Sequence, residues 1–345
     1  MRILVTGASG YVGSLLIPRL EEEEHDVRAL ARDPARVASV AEVVRADVYT
    51  GAGLAGALDD IEVAYYLIHS MERERPDTHA VGERGSAAGL NNERFEEGFE
   101  ERERVAAERF ADAARTAGVR RIVYLGGLLP AGPLGGKSES NGSSAIGAAQ
   151  GTTNGRRISR HLHSRAQVEQ TLLEAVGNSV ALRASIVIGA RSRSFRLLVR
   201  LIERMPALPL PAWRDCRTQP IDERDVIEML AGAASADVGG RSLDVGGPDV
   251  LSYAGMLKRI ADAMLVARPA IALRANLTPI TARVAAAITQ EDPQLVLRLM
   301  ESLSFDLLPA DDHAAELFGV KLHSFDAAVE RALRDWERSE PLAAR

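Results

Sequence analysis

The stretch MRILVT (residues 1–6), GASGYVG (7–13) and SLLIPRL (14–20) decides how this chain folds. Residues 1–6 are a short apolar run, as a buried parallel strand requires. The glycines follow at once, and an amphipathic helix opens behind them. Gly7 permits a tight turn, Gly10 lets backbone approach a pyrophosphate, and Gly13 allows the helix to pack close to the strand. Phosphate would then rest on the unpaired N–H groups and positive dipole end of that helix. A tight turn without a ligand is the bland alternative.

Working outward, the same alternation continues. Strands are expected at 25–32, 41–48, 61–68, 121–125, 180–188 and 242–245. Helices are expected from about Phe95 to Ala117 with Gly118 as cap, over 164–176, over 194–205, after Asp222 as cap, and over 253–265 and 279–303. Strands alternating with helices predict an α/β fold, a Rossmann-type doubly wound parallel sheet with a smaller, mainly helical C-terminal substrate lobe. The expected division is 1–190 with 213–250 for the dinucleotide domain, and 191–212 with 251–345 for the lobe. Residues 206–211 read as an extended linker. Residues 69–94 and 128–160 break the rhythm, and each is either a lid or a surface insertion.

Composition narrows the classes. The 345 residues are 46% hydrophobic and 26% charged, with a formal net charge of −6 and no basic block to offset it, which argues against nucleic acid as partner. Cys216 is the single cysteine, so no internal disulfide forms. No apolar run is long enough to span a bilayer and no signal peptide precedes the first strand, so a cytoplasmic protein starting at this strand is expected. The expected partner is a small-molecule substrate, with no membrane; a homodimer is left open.

Dinucleotide choice is read at the end of the second strand, where an acid holds the ribose of NAD and an arginine accommodates the 2′-phosphate of NADP. Arg32 leads and Asp33 follows, so NADP(H) is favoured over NAD(H); a solvated strand-end charge is the alternative. Asp47, with Val48, falls where such folds contact adenine, or is a turn acid. Ile68 and His69 should face the cofactor mainly through backbone.

The motif Thr6-Gly7-Ala8-Ser9-Gly10-Tyr11-Val12-Gly13 resembles the short-chain dehydrogenase/reductase superfamily in its extended and atypical branches. YLGGL (124–128), HLHSRAQVE (161–169), LRASIVIG (182–189) and QPI (219–221) with Asp225-Val226 sharpen the likeness toward the NAD(P)H-binding, NmrA-like group. The resemblance implies cofactor contacts from Thr6, Gly7, Ser9, Gly10, Tyr11, Val12 and Gly13, from Arg32, and from Ala184, Ser185 and Ile186 beside the nicotinamide. It also shows a departure. The superfamily uses a serine after the fifth strand and a Tyr-x-x-x-Lys pair on the next helix. Here glycine stands for serine, His161 for tyrosine and Arg165 for lysine.

Histidine can exchange a proton near neutral pH. Arg165 can grip a ribose or steady a developing anion, but it is no base. Alternatively Arg165 grips cofactor and no proton moves. His163 reads as a bystander, Cys216 as a loop cysteine, and Trp213 and Tyr253 as either substrate lining or core; no metal site is expected. The leading expectation is an NAD(P)H-dependent oxidoreductase acting on a small organic substrate, quinone- or enone-like. The alternatives are a non-catalytic dinucleotide-sensing or assembly protein, and an NAD-recycling epimerase or lyase.

Overall fold

The computed structural model describes residues 1–38, 41–68, 90–130, 152–153, 156–157, 160–210, 212–272, 286, 296–297, 300, 303–311 and 313–342. Seven strands form one sheet: β1 (Arg2–Val5), β2 (Asp26–Ala31), β3 (Glu42–Arg45), β4 (Val63–Tyr66), β5 (Arg121–Gly127), β6 (Val180–Ala184) and β7 (Arg241–Val245). Their order across the sheet is β7-β6-β5-β4-β1-β2-β3, with every pairing parallel. The order reverses direction between β1 and β4, the place where open α/β sheets receive ligands at the carboxyl ends of their strands.

Period-two alternation in β1 serves two cores at once, because both faces of a parallel sheet are covered. Ile3 and Val5 join Leu16, Ile17 and Leu20 of α1 (Tyr11–Glu22) on one face. Leu4 faces the other way, toward a core holding Leu54 and Leu58 of α2 (Leu54–Leu58), Phe110 of α3 (Leu90–Thr116) and Leu172 of α4 (Arg160–Ala175). α3 ends as expected: Gly118 takes φ +75° and Val119 N–H closes back on the Ala114 carbonyl at 3.0 Å.

A third core gathers α5 (Arg193–Arg204), α7 (Tyr253–Ala263) and α9 (Phe325–Glu337), with α6 (Glu223–Gly232) and the short α8 (Ala314–Leu317) packed elsewhere, under the sheet. Trp336, fully buried, lies beneath the guanidinium groups of Arg196 and Arg200 at 4.2 and 4.9 Å. Asp222 caps α6 by accepting from Arg224 N–H at 2.8 Å.

Two local expectations are corrected. The run 180–188 is not one strand: β6 stops at Ala184, and Val187–Ile188 pairs instead with Ile221–Asp222. The segment read as a linker contains Leu208–Leu210, a strand parallel to Ala270–Ala272. Most of 69–94 and 128–160, and most of the helix expected over 279–303, lie outside the described residues; Thr152–Thr153 and Arg156–Arg157 pair antiparallel.

Candidate functional site

The glycine turn is built by steric exclusion. Gly7 adopts φ +64°, and a Cβ there would lie 2.9 Å from the Leu67 carbonyl oxygen. A Cβ on Gly10 would meet the Gly7 carbonyl oxygen at 2.9 Å, and one on Gly13 would press inside contact distance of the same atom. Gly10 caps α1 with no side-chain hydrogen bond, and no acid stands in the first turn. Helix N–H groups with no side-chain acceptor, approached by side-chain-free backbone, fit a dinucleotide pyrophosphate. Ser9 and Gly10 are exposed and Val12 half-buried at this cradle.

Two members of the motif have other duties. Thr6 is fully buried; its hydroxyl donates to the Tyr65 carbonyl at 2.9 Å and accepts from Leu67 N–H at 3.0 Å, tying β1 to β4. Tyr11 donates its hydroxyl to Glu223 Oε2. Burial pushes the Tyr11 phenol well above its ordinary range, with the Glu223 charge adding to the shift; burial likewise raises the Glu223 carboxyl. Gly189 leaves the space in which this pair sits.

At the expected adenosine end, Arg32 is exposed directly after β2. Asp33 turns its carboxylate onto its own chain, accepting from Ala35 N–H at 3.2 Å as the cap of the single turn Pro34–Arg36. Asp47 accepts from Tyr49 N–H at 2.9 Å, and Val48 is buried. Burial and then Glu103 push the Tyr49 phenol up to about 12, while Arg32 and Arg102 of α3 pull the other way. Ile68 is half-buried beyond β4; His69 lies outside the described residues.

At the expected reaction end, β5 finishes in Gly126 and Gly127. Arg165 on α4 reaches back over this end, Nη2 donating to the Leu125 carbonyl at 3.2 Å. A Cβ on Gly127 would stand 3.6 Å from Arg165 Nε. His161 falls in the first turn of α4, and its side chain lies outside the described residues. Ala184, Ser185 and Ile186 use backbone groups within the protein: Leu128 N–H donates to the Ala184 carbonyl at 3.1 Å, Ser185 N–H to Val245 at 3.0 Å, and Ile221 N–H to Ile186 at 3.0 Å. Ser185 Oγ also lies 3.0 Å from Thr218 Oγ1.

Trp213 and Tyr253, undecided from sequence, are buried in the third core with rings edge-on at 6.0 Å. Arg214 and Arg217, beside half-buried Cys216, contact Asp215 at 3.3 Å and Asp306 at 2.9 Å. Among the described residues, sequence reasoning missed Tyr124, Glu223 and a buried pair, Glu169 with Arg183 at 2.6 Å. Only Tyr124 left a signal, its spacing of two from Gly126. Glu223 finds its partner 212 positions away, whereas Glu169 and Arg183, 14 positions apart, sit in two separate motifs that do not announce their pairing.

Residues 7–150 match the family model of NAD(P)H-binding domains. A curated relative, a 3-diazoavenalumate denitrifying reductase of Streptomyces sp, is 33% identical over 138 residues. That match spans 39% of this chain and 40% of the relative, so the chain aligns with well under half of the relative's length. Among solved structures, gox2253 superposes with TM-score 0.67 at 20% identity, covering 99% of both chains. UDP-glucose 4-epimerase from Thermotoga maritima, solved with UDP-glucose, superposes with TM-score 0.66 at 11% identity over 98% of this chain and 99% of that one. These likenesses in structure are likenesses of fold. No helix among the described residues is long and apolar enough to cross a membrane. A side-chain-free cradle at the switch point of a parallel sheet, together with the family match over residues 7–150, marks an NAD(P)H-binding domain in this part of the chain.

Proposed function

We propose that this protein is an NAD(P)H-dependent oxidoreductase that prefers NADP(H) and acts on a small organic substrate, quinone- or enone-like. The observation that carries the reading is Arg165, held across the carboxyl end of β5 beside the switch point that Gly7, Gly10 and Gly13 open. A bound nicotinamide would supply or accept hydride. Gly7, Gly10 and Gly13 would give its pyrophosphate backbone N–H groups, and Ser9 and Val12 would line the same turn. Arg165 would fix the nicotinamide ribose or steady an anion forming on substrate. His161 would hold the proton, in place of the absent tyrosine. An electron-poor acceptor suits such a site because its carbon needs less acid assistance.

Preference for NADP(H) is supported at the end of β2. The Asp33 carboxylate accepts from Ala35 N–H, and Arg32, exposed directly after β2, would meet the 2′-phosphate. Domain roles follow the cores: the two sheet-flanking cores would carry the cofactor, and the third, around Trp213 and Tyr253, the substrate side. The relative named as a reductase is consistent with redox chemistry.

The test is parallel fluorescence titration with NADPH and NADH on wild type and Arg32→Ala, followed by NADPH consumption against a panel of quinones and enones. NADPH preference lost in Arg32→Ala, with turnover on at least one acceptor, supports the proposal. Equal binding of both cofactors, unchanged by the substitution, removes the NADP assignment. Tight binding without turnover, with a protein co-purifying, favours the sensing alternative, to which the missing serine and tyrosine already lend weight.

A further inference from the structure

Two successive residues of β5, Gly126 and Gly127, each accommodate a different side chain. A Cβ on Gly126 would lie 3.0 Å from Cε1 and 3.6 Å from Cζ of Tyr124, so the phenol ring is laid along its own strand toward the carboxyl end. A Cβ on Gly127 would lie 3.6 Å from Nε and 3.9 Å from Cζ of Arg165. Between these two, the Leu125 carbonyl accepts from Arg165 Nη2 at 3.2 Å. Glycine at the serine position therefore does more than delete a hydroxyl. It leaves room for the ring of a tyrosine two residues upstream at the strand end that the same guanidinium spans, and Arg165 acts on that phenol by charge and hydrogen bond.

We infer that Tyr124 is a positioning residue of this site, fixing Arg165 over the end of β5 for its contact with the dinucleotide. The inference rests on the reading of Arg165 as a cofactor contact. Tyr124 is 4% exposed, and its ring packs at 6.3 Å from Tyr66, so its orientation is set by the sheet rather than by solvent. Burial pushes the Tyr124 phenol up to about 12, while the Arg165 charge and its hydrogen bond pull it down. The phenol stays protonated at neutral pH and presents its oxygen as acceptor to a guanidinium N–H. Strand and helix thus share the work that the superfamily assigns to one helix.

The test is NADPH titration of wild type, Tyr124→Phe, Arg165→Met and the double variant. Loss of a hydrogen bond to a charged group should weaken NADPH binding by about tenfold in Tyr124→Phe. In the Arg165→Met background the same change should cost nothing further, because the residue it positions is gone. A purely structural role would weaken both backgrounds alike. Should Tyr124→Phe not fold, Gly126→Ala carries the test: its methyl displaces the ring, and a several-fold loss confined to the Arg165 background is expected. Wild-type affinity in Tyr124→Phe, or an undiminished loss in Arg165→Met, overturns the inference and leaves the oxidoreductase reading standing. Failure of wild type itself to bind NADPH or NADH overturns both.

Discussion

Tyr11, on the first turn of the cradle helix, and Glu223, first residue of α6, stand 212 positions apart and share a hydrogen bond. A second strap runs beside it: Arg191 Nη1 donates to Ser14 Oγ at 2.9 Å, and Ser14 Oγ donates to the Tyr11 carbonyl at 2.9 Å. The turn that would meet pyrophosphate is therefore anchored by residues 177 and 212 positions further along the chain as well as by its own sheet.

Tyr11→Phe leaves a half-buried carboxyl without its donor. The variant is expected to lose about 1–3 kcal/mol of stability. Urea denaturation with an unchanged slope and a lowered midpoint is the readout; an unmoved midpoint shows that the contact is energetically idle.

Glu223 also sets a pH dependence. An acid whose folded-state pKa is raised binds more protons folded than unfolded, so its contribution falls as pH climbs from the ordinary glutamate value toward the folded one. Asp225 and Asp244, both raised by burial, act in the same sense and slope wild type and variant alike. Glu223→Gln should therefore gain on wild type as pH rises through that window. Unfolding free energies of the two proteins compared from acid to neutral pH isolate the Glu223 contribution, and a constant difference would refute it.

Arg183 meets Glu169 in two-pronged fashion, at 2.6 and 3.0 Å, with Ser242 Oγ completing the carboxylate shell at 2.5 Å. Removing one partner strands a buried charge. Arg183→Met is expected to cost about 3–5 kcal/mol, and Arg183→Met with Glu169→Leu to recover much of it. Thermal melts of the single and double variants decide the matter, since equal losses would mean that the charge was never stranded.

Gly13→Ala drives a methyl into the Gly7 carbonyl, a backbone group that cannot swing aside. Overpacking of this kind costs about 1–3 kcal/mol, and any relief must come from widening the turn. Affinity for both dinucleotides should fall together, leaving their ratio unchanged. A change in that ratio would place the ribose end, not the pyrophosphate, beside this turn.

The turn between β1 and α1 was legible because steric demands act within thirteen residues, and glycine meets them almost alone. The strands were legible because a sheet covered on both faces writes itself as apolar runs such as 61–68. What escaped depends on partners remote in sequence. Leu208–Leu210 is a strand only because Ala270–Ala272 lies alongside, and Ser185 breaks the 180–188 run because its N–H goes to Val245. At the site, Arg165 was placed by its motif. The tyrosine beside it was hidden because a buried phenol on a strand reads as core until the missing Cβ at Gly126 is seen. Tyr11 was read as a cofactor neighbour from its motif, and nothing local announced Glu223.

Synthesis proceeds toward the carboxyl terminus, and the cradle is made before the residues that anchor it. Thr6, whose hydroxyl bonds fix where the turn begins, waits for Tyr65, 59 residues later. Tyr11 waits for Glu223. Long-range pairings of this kind are slow to form and leave earlier segments exposed meanwhile. A nascent chain ending before α6 thus carries every glycine of the motif on a helix whose first turn is held at one end only. The turn is made before its anchors and completed only after them.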